Sequence, residues 1–240
     1  MLVGLVSAKG SPGVTTAALA LAAMWPRPAV MLDADPFGGD VRAGLGRGTW
    51  PAESGIADLV VDLRNTTMEQ SLSRRAHRPD EHAPAVVAGI ASIAQARGVP
   101  WSSMAPELAR LGIADCIADC GRFVPGVLDD LLDACDAVVM LSGSTLRDAR
   151  AVARAAPVVR TIAEVDGLVV SRPGRPYGAT EIAESCGLTM LGKLPDDPRT
   201  AAVWSEGDPP GRSLFRTAYM EAALRIASTL VELPTRRRTA

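Results

Sequence analysis

Apolar residues in this chain fall into short unbroken runs rather than long alternating stretches. Leu2–Ser7, Ala29–Leu32, Ala85–Ile90, Ala114–Cys120, Ala137–Leu141, Val165–Ser171 and Met190–Leu194 each have the length and composition of a buried strand. Helix-forming segments lie between them: 17–24, 56–63, a helix running through Ala96, then 104–111, 127–135, 145–155 and 181–186. A closing helix over 213–233 carries the apolar stripe Phe215, Ala218, Ala222, Ile226, Leu230 and Leu233. Alternation of this kind predicts one α/β domain over 1–240, with a mostly parallel sheet of about seven strands and helices on both faces. The segment 41–84 is the least legible. Gly44, Gly46, Gly48 and Pro51 predict a loop there, and 66–84, with Arg74, Arg75, His77, Arg78 and His82, reads as a solvated loop.

Composition narrows this picture. At 240 residues the chain can bury a full core, and with 48% apolar but only 4% aromatic residues that core must be built from Ala, Val and Leu. A net charge of −2 provides no global attraction to nucleic acid or to an anionic membrane. Cys116, Cys120, Cys135 and Cys186 form no C-x-x-C pair, so they read as buried free thiols suited to a reducing cytoplasm. The N-terminus lacks a charged region before its apolar run, which argues against a signal peptide, and no apolar run approaches the ~20 residues that span a bilayer. The expectation is a cytoplasmic protein that reaches membranes only through partners.

The first predicted strand runs into Lys9-Gly10-Ser11-Pro12-Gly13-Val14-Thr15-Thr16 and then directly into a helix. Strand, glycine loop and helix together place successive backbone N–H groups and a helix N-terminus around a phosphate. The full phosphate-loop pattern G-x-x-x-x-G-K-[ST] is not met, because Val14 stands where its lysine belongs. The loop resembles the deviant phosphate loop of the MinD/ParA family of ATPases, KGGxGK[ST][ST]. Lys9, Gly10, Gly13, Thr15 and Thr16 match; Ser11 replaces a glycine and Val14 the internal lysine. The resemblance implies a single P-loop NTPase-like domain binding ATP and Mg²⁺ with residues 9–16. It also implies a homodimer with ATP at the interface, in which Lys9 reaches the partner's nucleotide. Only two lysines stand against twenty-three arginines, so a lysine at position 9 argues against accidental drift. Loss of the internal lysine is similar to the CpaE/TadZ branch, whose members position pilus or secretion machinery.

Other elements resemble the same family. Asp33-Ala34-Asp35-Pro36 closes the second strand, where two carboxylates at i and i+2 point to one side of a ligand-binding sheet edge. The resemblance gives Asp33 a share in holding Mg²⁺, beside Thr15, and gives Asp35 the attacking water. Asp119, followed by Cys120-Gly121, resembles the Walker B aspartate and would hold the Mg²⁺ shell. Ser171 stands where the family has an asparagine that reads adenine, Arg172 offers a guanidinium to stack on the base, and Pro195 and Asp197 resemble the family's PxD loop beside the purine.

The leading functional expectation is therefore an ATP-binding, dimerising switch that positions or regulates other machinery through an unidentified protein partner. A missing phosphate-contacting lysine costs about 1.5–3 kcal/mol, roughly ten- to a hundredfold in affinity, and more in turnover. Hydrolysis is expected to be weak or lost. One alternative is a scaffold that keeps the fold without nucleotide. Another, less favoured, is a DNA-partition ATPase using Arg147, Arg150 and Arg154, which share a helix face. The closing helix reads as core packing rather than as a membrane anchor extended by Arg236, Arg237 and Arg238.

Overall fold

The structure, a computed structural model, describes residues 1–10, 13–51, 53–81, 83–174 and 176–234. Ser11, Pro12, His82 and Arg236 to Arg238, all singled out above, lie outside the described residues. Seven described strands, β1 (Leu2–Ser7), β2 (Ala29–Asp33), β3 (Ala85–Val87), β4 (Asp115–Arg122), β5 (Ala137–Ser142), β6 (Gly167–Ser171) and β7 (Met190–Leu194), form one sheet in the order β3-β2-β4-β1-β5-β6-β7. Every pairing is parallel, so the sheet is more uniform than the mostly parallel one expected.

Period-two alternation along the strands divides the interior into two cores. Leu2 and Val6 of β1, Val30 and Leu32 of β2, and Val138 and Met140 of β5 face one side. There they meet α2 (Ile56–Asp62), α3 (Met68–Arg75), α4 (Trp101–Ala109), α5 (Asp129–Asp133), α6 (Leu146–Val159) and α7 (Ala179–Ser185). Val3, Leu5, Met31, Ile117 and Val139 face the other side, against α1 (Val14–Ala23), α8 (Pro198–Ser205) and α9 (Ala218–Val231). Strands covered on both faces have no polar side to show, which is why they read as continuous apolar runs.

Several expectations need correction. The 66–84 segment is not a plain loop: it holds α3, started by a reciprocal cap between Thr67 and Gln70. His77 follows it, its ring 5.2 Å from that of Trp50 and its backbone bridged antiparallel to Val86. The third strand stops at Val87, and the segment through Ala96 forms a 3-10 turn, Ile93–Gly98, instead of an α-helix. The closing helix is divided by Thr217, whose hydroxyl accepts from the Met220 N–H and caps α9. Ala218 is exposed, while Ala222, Ile226 and Leu230 are buried as a core-packing stripe. All four cysteines are free and buried, and burial pushes the Cys116 thiol up to about 12. No helix among the described residues is long and apolar enough to cross a membrane.

The seam between β7 and α9 offers a packing test. A Cβ on Gly192 would collide with the Ile226 side chain. Gly192→Ala should cost about 1–3 kcal/mol in urea unfolding. Placing it in an Ile226→Ala background should remove much of that cost, a coupling of about 0.5–3 kcal/mol that additive behaviour would contradict.

Candidate nucleotide-binding site

The chain changes direction across the sheet beside β1, which lies between β4 and β5. In an open parallel sheet the crevice at the carboxyl ends of such strands takes the ligand. The residues ending β1, β2 and β4 meet there. Ser7 pairs with Arg122, and Asp33 pairs with Asp119.

From Ser7 the backbone runs through Ala8, Lys9 and Gly10, and Gly13 is the residue immediately before α1. Gly13 has φ 84°, a left-handed conformation that most side chains disfavour, and from it α1 begins. Among the described residues no side chain caps α1, unlike α3, α6, α8 and α9, which start on threonine or aspartate caps. Its first N–H groups therefore face the cleft without a side-chain acceptor. That cleft, about 440 Å³, is lined by Ser7, Gly10, Gly13, Val14, Thr15, Thr16, Asp35, Phe37, Gly121 and Arg122. Its volume lies within the range of small-molecule pockets. Val14 is only 6% exposed and packs into the apolar core on the α1 side, so it lines the cleft without plugging it.

Three aspartates converge at these strand ends. Asp33 and Asp119 are fully buried, and Asp35 lies on the cleft wall. Neither carboxylate oxygen of Asp33 has a hydrogen-bond partner among the described residues, and Oδ2 of Asp119 has none either. Burial first, then the charge of Asp119, push the Asp33 pKa well above the usual carboxylate range; the N–H groups of Asp35 and Gly89, near the carboxylate but outside hydrogen-bond geometry, oppose this only in part. Burial raises Asp119 to about 6, against the Thr15 hydroxyl and the Gly121 N–H, with Asp35 adding to the rise. Burial also raises Asp35, whose Oδ1 accepts from the Phe37 N–H at 2.9 Å, and nearby Asp40 adds repulsion. Glycines make the packing feasible. A Cβ on Gly39 would fall on the Asp33 carboxylate, and one on Gly89 would lie 2.9 Å from its Cγ. Gly121, at φ 58°, abuts Asp35 in the same way.

Orphaned buried carboxylate oxygens are expensive and call for a cation or a proton. Among the described residues no group of three or more His, Cys, Asp or Glu side chains is arranged to hold a metal by itself. Mg²⁺ does not require one, since it takes one or two carboxylates, phosphate oxygens and water. The hydroxyl of Thr15 and the free oxygen of Asp119 fit that partial donor set.

Lys9 lies on the neighbouring side of the loop. Its Nζ is 3.5 Å from Asp148 Oδ1, and its side chain remains half exposed. Burial raises Asp148, but hydrogen bonds from the Thr145 hydroxyl and N–H together with the Lys9 ammonium outweigh it and hold the carboxyl low. Lys9, Gly10 and Asp148 share a small hollow of about 40 Å³ with Arg172. Gly10 lines both spaces, so the loop joins them. Ser171 ends β6 and is buried opposite Leu194, and Arg172 takes φ 51°. Pro195 and Asp197 line neither space. Asp197 instead caps α8, accepting from the Thr200 hydroxyl at 2.6 Å and the Thr200 N–H at 3.1 Å, which keeps its pKa low. Tyr219 lies close enough to both Asp197 and Arg172 for their charges to act on its buried hydroxyl, which burial pushes up. Sequence reasoning assigned no role to Tyr219 or Arg122; for Arg122 the available signal was its place just after Asp119-Cys120-Gly121.

Solved structures share this architecture. MinD of Pyrococcus horikoshii with Mg-ADP superposes with a TM-score of 0.73 at 14% identity, covering 97% of this chain and 96% of that one. A ParA family ATPase of Chlorobium tepidum gives 0.73 at 15% identity over 95% and 98%. The Aquifex aeolicus MinC:MinD complex gives 0.66 at 14% identity over 98% of both chains. The chain therefore has the fold of the MinD and ParA P-loop ATPases. At the level of sequence, uncharacterized proteins of Mycobacterium tuberculosis strains H37Rv and CDC 1551 are 28% identical over 226 residues. The match takes in 93% of this chain but 62% of theirs, so this chain spans about three fifths of those relatives. No family model matches the chain.

The raised carboxylates set a pH dependence. Between about pH 4 and pH 6 the folded chain retains a proton on Asp119 that the unfolded chain has released, so stability without metal should fall as pH rises through that window. Asp119→Asn should flatten this decline and make the metal-free protein more stable at pH 8 by about 1–3 kcal/mol. Thermal unfolding at pH 4 to 8 checks it; an equal slope in both proteins would contradict the assignment.

Proposed function

We propose that this chain is an ATP-binding switch of the ParA/MinD type, which dimerises around nucleotide and positions or regulates other machinery. The observation that carries the reading is the set of buried, unpartnered carboxylate oxygens on Asp33 and Asp119 beside an uncapped helix N-terminus and a cleft of about 440 Å³. A metal–polyphosphate ligand satisfies both ends of that arrangement, the amides through its oxygens and the carboxylates through its cation. MinD of Pyrococcus horikoshii holds Mg-ADP on the same fold. In this reading Gly10 and Gly13 to Thr16 wrap the phosphates, and Thr15 and Asp119 hold Mg²⁺. Asp33 supports the metal from the end of β2. Asp35, on the cleft wall, orients the attacking water. Ser171, Arg172, Pro195 and Asp197 flank the base. Mg²⁺, when bound, offsets charge on the phosphates. The chain's own groups orient ATP and hold the water, and without a lysine at position 14 turnover is weak or absent.

Lys9 acts across a homodimer interface, and its ion pair with Asp148 is the resting contact it leaves. Val14 aligns the protein with the CpaE/TadZ-like branch, whose work is placing pilus or secretion machinery. The MinC:MinD complex of Aquifex aeolicus illustrates a protein partner on this fold. A scaffold without nucleotide is the second reading, motivated by Val14 in place of the phosphate-loop lysine and Ser171 in place of the asparagine. Exposed Arg147, Arg150 and Arg154 keep a DNA-partition role as a third.

Calorimetric titration with Mg-ATP separates the first two readings, because a flat trace leaves only the scaffold. Gel filtration should show an ATP-dependent shift from monomer to dimer. Lys9→Ala should lose that shift while retaining monomer binding, and dimerisation undiminished in the variant would remove the trans role of Lys9.

A further inference from the structure

We propose that Arg122 is the cation that grips the phosphate chain in this cleft, taking the place that Val14 leaves vacant. The inference rests on the nucleotide-binding reading of the cleft and adds the group that reading lacks. A P-loop without its internal lysine has amide dipoles but no full positive charge against a triphosphate. Among the residues lining the cleft, Arg122 is the one that carries a positive charge.

Its position follows from the strand ends. Arg122 is the last residue of β4 and pairs with Ser7, the residue from which the loop departs. Gly121 before it, at φ 58°, turns the backbone beside Asp35, and Arg122 lines the same cleft as Gly13, Val14 and Thr15. A P-loop lysine at position 14 would arise from the start of α1; this cation comes from the end of β4. Its side chain is exposed, and among the described residues its guanidinium makes no ion pair or hydrogen bond. Arg27 and Arg75, by contrast, are each committed to a carboxylate at 2.7 Å. Asp35 shares the cleft but makes no ion pair with Arg122, and its Oδ1 is already taken by the Phe37 N–H. Lys9 is paired to Asp148 outside this lining. A guanidinium keeps its charge at any working pH and presents a planar fork that matches two phosphate oxygens.

The test compares wild type, Arg122→Ala and Arg122→Lys by calorimetry with Mg-ATP, with magnesium tripolyphosphate and with adenosine. Arg110→Ala, an exposed arginine on a distant helix end, serves as control, and urea unfolding of each variant reports the fold. Arg122→Ala should weaken ATP and tripolyphosphate ten- to a hundredfold and leave adenosine and the unfolding midpoint unchanged. Arg122→Lys should recover part of the loss. If wild type binds both phosphate ligands and Arg122→Ala binds them within twofold of it, the Arg122 assignment fails and the nucleotide reading stands. Equal loss for adenosine also overturns it, as the residue would then be structural. If wild type binds neither phosphate ligand, both proposals fall together.

Discussion

Two aspartates placed side by side on neighbouring strands, away from water, are the constraint around which this molecule is built. Asp33 and Asp119 occupy paired positions on β2 and β4, and both are fully buried. Removing a carboxylate from water costs several kcal/mol unless something restores its partners, and a second like charge nearby raises that cost. Left alone, such a pair answers by holding protons, which is the direction in which both groups are shifted. Supplied with a divalent cation, the same pair becomes a binding site. Gly39 and Gly89 against Asp33, and Gly121 against Asp35, show how closely the backbone is drawn around these groups. A fold selected for stability alone would fill the space with apolar side chains.

The rest of the site is a matter of charge balance around that cluster. The uncapped start of α1 directs partial positive charge toward the cleft from one side. The ammonium of Lys9 is held by Asp148 on the far side of Gly10, so a single chain presents its loop with that charge turned away. Val14 has gone the other way, into the core beneath α1. What is left in the cleft is one aspartate and one arginine, with no ion pair between them among the described residues. Such a cleft lacks something negative and multivalent above it and something positive below it, and a metal–polyphosphate supplies both in one ligand.

Much of this was legible in the residues, for a physical reason. Strands buried on two faces must be apolar throughout, so β1, β2, β4, β5, β6 and β7 stand out as runs. Loop glycines and strand-end aspartates stand out because backbone turns and metal sites tolerate few substitutes. The helix α3 did not stand out, since its half-exposed surface carries arginines and polar residues, and only the Thr67 to Gln70 cap betrays it. The 3-10 turn at Ile93–Gly98 was read as a helix because local composition does not distinguish the two. Asp197 reads as a purine contact by its place in a motif, and the structure also gives it a structural task at the start of α8. Tyr219 belongs to no pattern, and Arg122 offered only its place after Asp119-Cys120-Gly121. Their significance depends on which strand ends and helices lie together, which the order of strands decides.

A crystal structure with Mg²⁺ and a non-hydrolysable ATP analogue tests the central claim most directly. The account predicts phosphate density against the amides of Gly13 to Thr16, with a metal between it, Thr15 and the free oxygen of Asp119. Density elsewhere on the molecule, or an occupied cleft with no metal near Asp119 and its oxygen still unpartnered, would contradict it.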